Sequence, residues 1–264
     1  MNNTLLKGLA VLELLSRSDR PLTLSQIGRE LGVVKSNVHR LMQALVDTRF
    51  VLRDEESGCY APSIKLWELG SAVLAKLDLR HHAEKQMEAL MGLTGESVHL
   101  SVLDGHEIVY VHKVDSLNPV RAYSQIGGRA PAYCVATGKA QLAFAGETVL
   151  REVAQALKRL KPFTERTLTD PAQFMKEMKR VREQGHAVNR GEWRDKVWGI
   201  ATPIMDARGV VIAAIGISGP ADRFKRSVMT PWTEAVIAAA TDVGHALAGE
   251  QPMTALSRIR FGPR

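Results

Sequence analysis

Cysteine and long apolar runs are both scarce in this 264-residue chain. Its two cysteines, Cys59 and Cys134, lie far apart and have no Cys or His at ligand spacing, which argues against a disulfide framework and a zinc site. No stretch approaches the roughly 18 to 20 consecutive apolar residues of a membrane helix, and the N-terminus lacks the pattern of a signal peptide. We therefore expect a cytoplasmic protein with reduced thiols, no metal, no cofactor and no membrane contact.

The net charge of +7 favours a polyanionic partner, because Lys and Arg can replace the counterions condensed on nucleic acid. The excess charge does not show where such a partner would bind. Residues 1–65 carry nine Lys and Arg against seven Asp and Glu, and most of the excess lies later in the chain, including Arg258, Arg260 and Arg264. The positions of individual side chains must therefore locate the binding surface.

The first two helices are predicted from apolar stripes. The first stripe is Leu5, Leu9, Leu12 and Leu15, and the second is Leu24, Ile27 and Leu31. The leucine spacing predicts a core-packing helix that ends before Pro21. Thr23 and Gln26 have the spacing of a capping box, which predicts that the second helix begins there.

The spacing of Gly28, Gly32, Val38 and Leu41 is typical of a helix-turn-helix. Gly28 lets two helices cross closely, and Gly32 can adopt the positive φ of a tight turn. Val38, Leu41 and Leu45 are expected to face inward on the third helix. The polar face of that helix would then enter the major groove of DNA.

Six polar residues on the third helix are candidates for DNA contacts. They are Lys35, Ser36, Asn37, His39, Arg40 and Gln43. All six can donate to phosphates, and Asn, Arg and Gln side chains can also read base edges. The segments 50–53 and 59–61 flank a Gly-containing turn and predict the hairpin of a wing. Three acids at the tip, Asp54, Glu55 and Glu56, argue against deep insertion of the wing into a groove.

After residue 80 the pattern changes to an α+β domain with a largely antiparallel sheet. Helices are predicted at 84–93, 171–184 and 231–248, and strands at 97–103, 107–114, 200–205 and 210–217. We therefore divide the chain into a winged helix-turn-helix at 1–65, a linker helix at 66–79, a second domain at 80–250 and a basic tail at 251–264.

The stretch from Leu22 to Leu41 resembles the IclR family of transcriptional regulators, although the family usually has Pro where Val34 stands. The resemblance continues at 94–100, 129–131, 137–140 and 217–220. It implies a repressor or activator that binds operator DNA, with a GAF-like effector domain. It also implies homodimers or homotetramers. The linker helix carries the stripe Leu66, Leu69, Val73 and Leu77, which either belongs to a core or packs against a partner subunit, and we favour the partner.

The resemblance further implies an effector site built from six residues. They are Ala136, Thr137, Asn189, Gly199, Gly216 and Ser218. The effector would be an organic acid, since backbone amides at the start of the Gly138–Lys139 helix can bind a carboxylate. The family often has an acid at position 189 and larger polar residues at 199 and 216, so we expect a roomier and more neutral pocket. Trp193 and Trp198 lie nearby in sequence, where they either pack ordinarily or contact an aromatic acid.

No catalytic residues are predicted. Gly138–Lys139 lacks the upstream glycine and the Ser or Thr of a phosphate-binding loop. The histidines have no acid or cysteine at recurring ligand spacing, and we interpret them as surface or strand residues. Cys134 has no visible resolving partner for redox sensing. The competing function is a ligand-binding or enzymatic protein that uses its helix-turn-helix for protein interaction.

Overall fold

The computed structural model describes residues 3–75, 79–157, 159 and 162–249. It has the expected α+β class, and the chain divides into two compact units at residues 1–76 and 77–264. The predicted basic tail and Leu77 of the linker stripe lie outside the described residues, as does the side chain of Val73. No described helix combines the length and apolar character that crossing a membrane requires.

The first unit is a winged helix-turn-helix followed by a fourth helix. Its elements are α1 (Asn3–Arg17), α2 (Leu24–Leu31), α3 (Lys35–Asp47), β1 (Val51–Arg53), β2 (Tyr60–Pro62) and α4 (Ile64–Ala75). The capping box of α2 is confirmed: the Thr23 side chain accepts from the Gln26 amide, and the Gln26 side chain accepts from the Thr23 amide. At the other end of α2, Gly32 has a left-handed φ of 61°.

The turn between α2 and α3 depends on a close approach at Gly28. A Cβ at this position would lie 2.9 Å from the Val33 carbonyl oxygen and 3.5 Å from the Val38 side chain. Val38 is fully buried as predicted, whereas Leu41 and Leu45 are only partly buried. Met42 takes the second fully buried position of α3. The inward face is therefore rotated by about one residue from the predicted stripe.

The predicted leucine stripe of α1 is wrong in its N-terminal half. Leu5 and Leu9 are 60% and 50% exposed, and the fully buried residues are Val11 and Leu15. These two side chains join the core that α1 forms with α2, α3 and the wing. Helical periodicity identified a helix, but only its second half has neighbours within the first unit to pack against.

The wing is confirmed as an antiparallel hairpin with Val51 opposite Pro62 and Arg53 opposite Tyr60. The Ser57 hydroxyl donates to the Asp54 carboxylate and is the main cause of the lowered pKa of this group. The backbone amides of Glu56 and Ser57 also donate to the carboxylate and lower its pKa further. The tip acid therefore shapes the turn as well as carrying charge.

The second unit contains a six-stranded antiparallel sheet with the order β5-β4-β3-β8-β7-β6. The strands are β3 (Ser97–Asp104), β4 (Glu107–Val114), β5 (Arg129–Pro131), β6 (Ala187–Arg190), β7 (Val197–Met205) and β8 (Val211–Pro220). The helices are α5 (Leu79–Thr94), α6 (Ala136–Leu142), α7 (Glu147–Leu157), α8 (Pro171–Gln184) and α9 (Arg226–Gly249). Helices α5 and α9 pack on each other and on the sheet, while α6 contacts the central strands and α8.

Several of these elements differ from the sequence prediction. The short strands β5 and β6 and the helix α7 were not predicted, and β7 begins three residues before the predicted Ile200. Helix α9 begins at Arg226 and contains Pro231, which we had expected to start the helix. Proline is favoured in the first turn of a helix, and the predicted start was placed at Pro231 for that reason. Pro231 is instead the sixth residue of α9, so the helix begins five residues before the predicted start.

Candidate functional site

The outward face of α3 carries exposed polar groups. Ser36, His39, Arg40 and Gln43 are exposed, Asn37 is half-buried, and the side chain of Lys35 lies outside the described set. Arg40 has no hydrogen bond or ion pair with any described residue, whereas the Gln43 amide donates to the Asp47 carboxylate at 2.8 Å. The helix-turn-helix therefore presents a donor-rich face of the kind that binds phosphates and bases.

Val34, where the resemblance to the IclR family leads us to expect Pro, caps α3 without a side-chain hydrogen bond. Its φ of −63° matches the angle that a proline ring imposes. The departure from the family pattern therefore leaves the backbone entering α3 in the conformation that proline would give.

All six residues predicted for the effector site line one cavity in the second unit, which we call the sheet cavity. Ala136 and Thr137 come from α6, Asn189 from β6, Gly199 from β7, and Gly216 and Ser218 from β8. The remaining wall is formed by other parts of the sheet, the loop before β5 and the turn after β6. These residues are His99, Tyr110, Ala122, Tyr123, Ser124, Val135, Trp193, Arg194, Val197 and Ile217.

The space in the cavity that the centre of a water molecule can occupy is about 40 Å³. The expectation of a pocket roomier than the family usually has stays a prediction. The two glycines of the cavity mark places where strands approach closely rather than places that add space. A Cβ at Gly216 would lie 2.6 Å from the Ala201 side chain, and one at Gly199 would lie 2.9 Å from the Ile217 carbonyl oxygen. A side chain at either position would therefore meet the neighbouring strand before it could reach into the cavity.

The side chain of Asn189 forms hydrogen bonds within the turn that follows it. Its Oδ1 accepts from the backbone amides of Gly191 at 3.0 Å and Glu192 at 2.9 Å. Only its Nδ2 group is left to face a ligand, and that group donates a long bond of 3.4 Å to the Val197 carbonyl. Asn189 therefore fixes the shape of the cavity more than it offers an acceptor.

His99 is a cavity residue that the sequence analysis missed. Its buried ring bridges the Ser218 hydroxyl at 2.7 Å and the Ser124 hydroxyl at 3.0 Å. Burial lowers the pKa of His99 to about 4, so the ring is neutral at pH 7. Ser97 and Ser101 are buried on either side of it along β3. Three polar residues at alternate positions of a strand were the available signal for a polar interior face.

Tyr110 lies beside His99, with ring centroids 5.3 Å apart. Burial raises the pKa of its hydroxyl to about 12, so this group is an uncharged donor and acceptor. His99 and Tyr110 therefore give the sheet cavity an uncharged polar surface.

Trp193 and Arg194 form part of the cavity wall, whereas Trp198 does not. The Arg194 guanidinium lies 4.4 Å from the centroid of the Trp193 ring, and its Nη1 donates to the Tyr123 carbonyl at 3.2 Å. Trp198 lies under Arg190, 5.8 Å from its guanidinium carbon. Of the two tryptophans that lie nearby in sequence, Trp193 lines the cavity and Trp198 does not, and Arg194 adds a positive charge to the wall.

Lys139 is fully buried and has no role in the cavity wall. Its Nζ contacts Glu192 at 2.8 Å, Glu177 at 3.1 Å and the Val188 carbonyl at 2.7 Å. Burial alone would raise the pKa of both glutamates. At Glu177 the charges of Lys139 and Arg180 outweigh burial, so its pKa is lowered. At Glu192 burial outweighs the charge of Lys139, so its pKa is raised. The Gly138–Lys139 pair thus joins α6 to α8 and to the turn after β6.

Neither a metal-binding cluster nor a reactive thiol is apparent among the described residues. No group of three or more His, Cys, Asp or Glu side chains is close enough there to hold an ion. Cys134 is buried, and burial raises its pKa to about 12, which keeps it in the unreactive thiol form.

Comparison with protein families agrees with both units. Residues 4–55 match the IclR helix-turn-helix domain, and residues 71–245 match the bacterial transcriptional regulator IclR C-terminal domain. These two domains define a class of helix-turn-helix transcriptional regulators. The chain belongs to the IclR family.

Individual relatives are similar over most of their length. The HTH-type transcriptional regulator KdgR of Escherichia coli is 36% identical over 222 residues, covering 84% of each protein. XynR of the same organism is 32% identical over 212 residues, covering 80% of this chain and 84% of XynR. These relatives are named as transcriptional regulators rather than enzymes, which sets aside the enzymatic alternative.

Solved structures show the same fold. The IclR protein of Thermotoga maritima has a TM-score of 0.77 and 31% identity, covering 94% of this chain and all of that one. An IclR homologue of Microbacterium hydrocarbonoxydans in complex with 4-hydroxybenzoate has a TM-score of 0.82 and 27% identity, with the same coverage.

Proposed function

We propose that this regulator binds operator DNA through α3 and that an organic acid in the sheet cavity controls the binding. The observation that carries the proposal is the convergence of six residues from four separate elements on one cavity, in a chain that also contains a helix-turn-helix. The 4-hydroxybenzoate bound to the homologue from Microbacterium hydrocarbonoxydans supports an acid as the effector class.

The assignment to DNA rests on the exposed donors of α3 and on the close turn that holds the helix. Pairs of such domains read two half-sites about one helical turn apart, so we propose a homodimer or a tetramer as the active form. Arg40 is the best single candidate for a DNA contact, because its guanidinium is exposed and has no partner among the described residues.

The function is tested by competition between the protein's own upstream DNA and random DNA. At about 0.15 M salt, with and without candidate acids, we expect clear preference for the upstream fragment, because nonspecific electrostatic binding alone gives none. Equal affinity for the two DNAs under every condition would refute the regulatory function.

Arg40→Ala should weaken binding to the upstream DNA about tenfold or more while leaving thermal stability and ligand binding unchanged. Arg151→Ala is the matched control, because Arg151 is an exposed arginine of α7 in the second unit. Gel-shift titration measures both variants. Equal DNA affinities would remove Arg40 from the DNA-contacting surface.

Ser218→Leu should abolish the response to the acid and leave DNA binding intact, because the larger side chain would occupy space in the cavity that a ligand needs. A thermal-shift screen of aliphatic and aromatic carboxylates identifies binding to the native protein, since a ligand that prefers the folded state raises its melting temperature. An unchanged shift in the variant would place the ligand elsewhere.

A further inference from the structure

Arg194 is the single formally charged residue in the described wall of the sheet cavity. His99 is neutral at pH 7, and no carboxylate of the described residues lines the space. Arg194 is an exposed residue of this wall, and a cation there attracts anionic ligands over neutral ones. The charge at the cavity therefore favours an acid and locates the group that would bind it.

The geometry of Arg194 leaves its binding edge available. Stacking on Trp193 and one hydrogen bond from Nη1 to Tyr123 hold the guanidinium in place. Its Nε and Nη2 atoms make no hydrogen bond with any described residue. These two atoms form a planar fork that fits a carboxylate through two parallel hydrogen bonds. The side chain is thus oriented by its neighbours with its fork unoccupied.

The inner groups of the cavity suit an uncharged end of the same ligand. The hydroxyls of Tyr110 and Thr137 line the space and form no hydrogen bond with other described residues. Each can donate and accept, so together they suit a ligand hydroxyl or carbonyl. The cavity thus has a cationic side and an uncharged polar side.

We propose that Arg194 binds the carboxylate of the effector, with the uncharged end of the ligand directed at the Tyr110 and Thr137 hydroxyls. This inference rests on the proposed function and adds the ligand's orientation and the residue that selects acids over neutral analogues. Because Nη1 already contacts Tyr123, a bound acid would also connect the ligand to the loop before β5.

The test compares acids with their amides on the full-length protein by isothermal titration calorimetry. The pairs are 4-hydroxybenzoate with 4-hydroxybenzamide, and lactate with lactamide. The wild-type protein should prefer at least one acid over its amide by about tenfold or more, because hydrogen bonds to charged groups are stronger than neutral ones. Arg194→Met should raise the Kd for that acid about tenfold to a hundredfold and leave the Kd for the amide unchanged.

Arg190→Met is the matched control, because Arg190 also stacks near a tryptophan at the end of β6 but does not line the cavity. It should behave as the wild type. If Arg194→Met weakened binding of the acid and of the amide equally, Arg194 would only shape the cavity. The inference would then fail, while the proposal that the cavity binds an effector would stand. If Arg194→Met kept the wild-type preference for the acid over the amide, the inference would also fail. If the wild-type protein bound none of the four compounds, the organic-acid effector and this inference would fail together.

Discussion

His99 connects strand β8 with the loop before β5 through the Ser218 and Ser124 hydroxyls. A neutral imidazole has one donor and one acceptor nitrogen, so one serine must donate to the ring and the other must accept from it. Protonation would convert both ring nitrogens to donors and place a charge in a buried site. Protonation of His99 would therefore disrupt the hydrogen bonds that hold this part of the cavity wall together.

His99→Gln should make the protein less sensitive to acid. The folded-state pKa of about 4 lies below the usual 6.5, so below pH 6.5 the unfolded chain binds a proton that the folded protein refuses. The free energy of unfolding is therefore unaffected by His99 above pH 6.5 and decreases as the pH falls towards 4. At pH 5 the decrease is about 2 kcal/mol. Urea unfolding at pH 7.5 and 5 should show a loss smaller by about this amount in the variant.

His106→Gln is the control for this experiment, because His106 is exposed in the turn between β3 and β4. It should keep the wild-type loss of stability. An equally steep loss in His99→Gln would mean that another group causes the acid sensitivity.

At the residue scale, the resemblance to a known family predicted where the cavity residues lie but not what each one does. Asn189 lines the cavity as expected, yet its oxygen is used by backbone amides of the following turn. Arg194 had no motif around it, and its position depends on stacking over Trp193 and on a carbonyl 71 residues away in sequence. Such contacts form between distant segments and leave no local pattern.

At the scale of elements, the turn between α2 and α3 is where the helix-turn-helix is most sensitive to substitution. Gly28→Ala should lower the free energy of unfolding of the first unit by about 1 kcal/mol or more, because the new methyl group would lie 2.9 Å from a carbonyl oxygen. Chemical unfolding measures the change.

Gly8→Ala provides the matched control in α1, where a Cβ meets nothing within 4 Å. This substitution should stabilise the unit by about 0.5 to 1 kcal/mol, because alanine is more favourable than glycine inside a helix. If Gly28→Ala were equally stabilising, the close approach would not be required for the turn.

The elements that were predicted correctly have strong local signals. The capping box of α2 and the glycine after it are both encoded within a few residues. The strands β5 and β6 are three and four residues long and owe their conformation to pairing with β4 and β7. The exposed leucines of α1 show that periodicity can predict a helix without predicting burial, because it does not say whether a face has a neighbour to pack against.

At the scale of the whole molecule, the chain has separate apolar cores in its two units. Val11, Ile27 and Val38 belong to the first, and Phe174, Met178 and Ala201 belong to the second. We expect a fragment of residues 77–264 to fold and to bind the acid with the affinity of the full chain, because the described wall of the sheet cavity comes from the second unit. Calorimetric titration measures the affinity, and a fragment that fails to bind would contradict this independence.

The architecture was predictable because the class of each domain follows from its pattern of elements. Three helices and a hairpin predicted the first unit, and alternating strands with flanking helices predicted the second. The volume of the cavity was not predictable, since its wall combines strands, the start of α6, the loop before β5 and the turn after β6. The space between such distant segments leaves no local sequence pattern.

The buried amine of Lys139 provides a way to follow opening of the second unit. Enclosed by Glu177, Glu192 and the Val188 carbonyl, it should be shielded from an acylating reagent that reacts readily with exposed lysines such as Lys179. Modification at this position would require α6 to separate from its neighbours. Peptide mass spectrometry over time would therefore record how often the native domain opens, and how far a bound effector suppresses those openings.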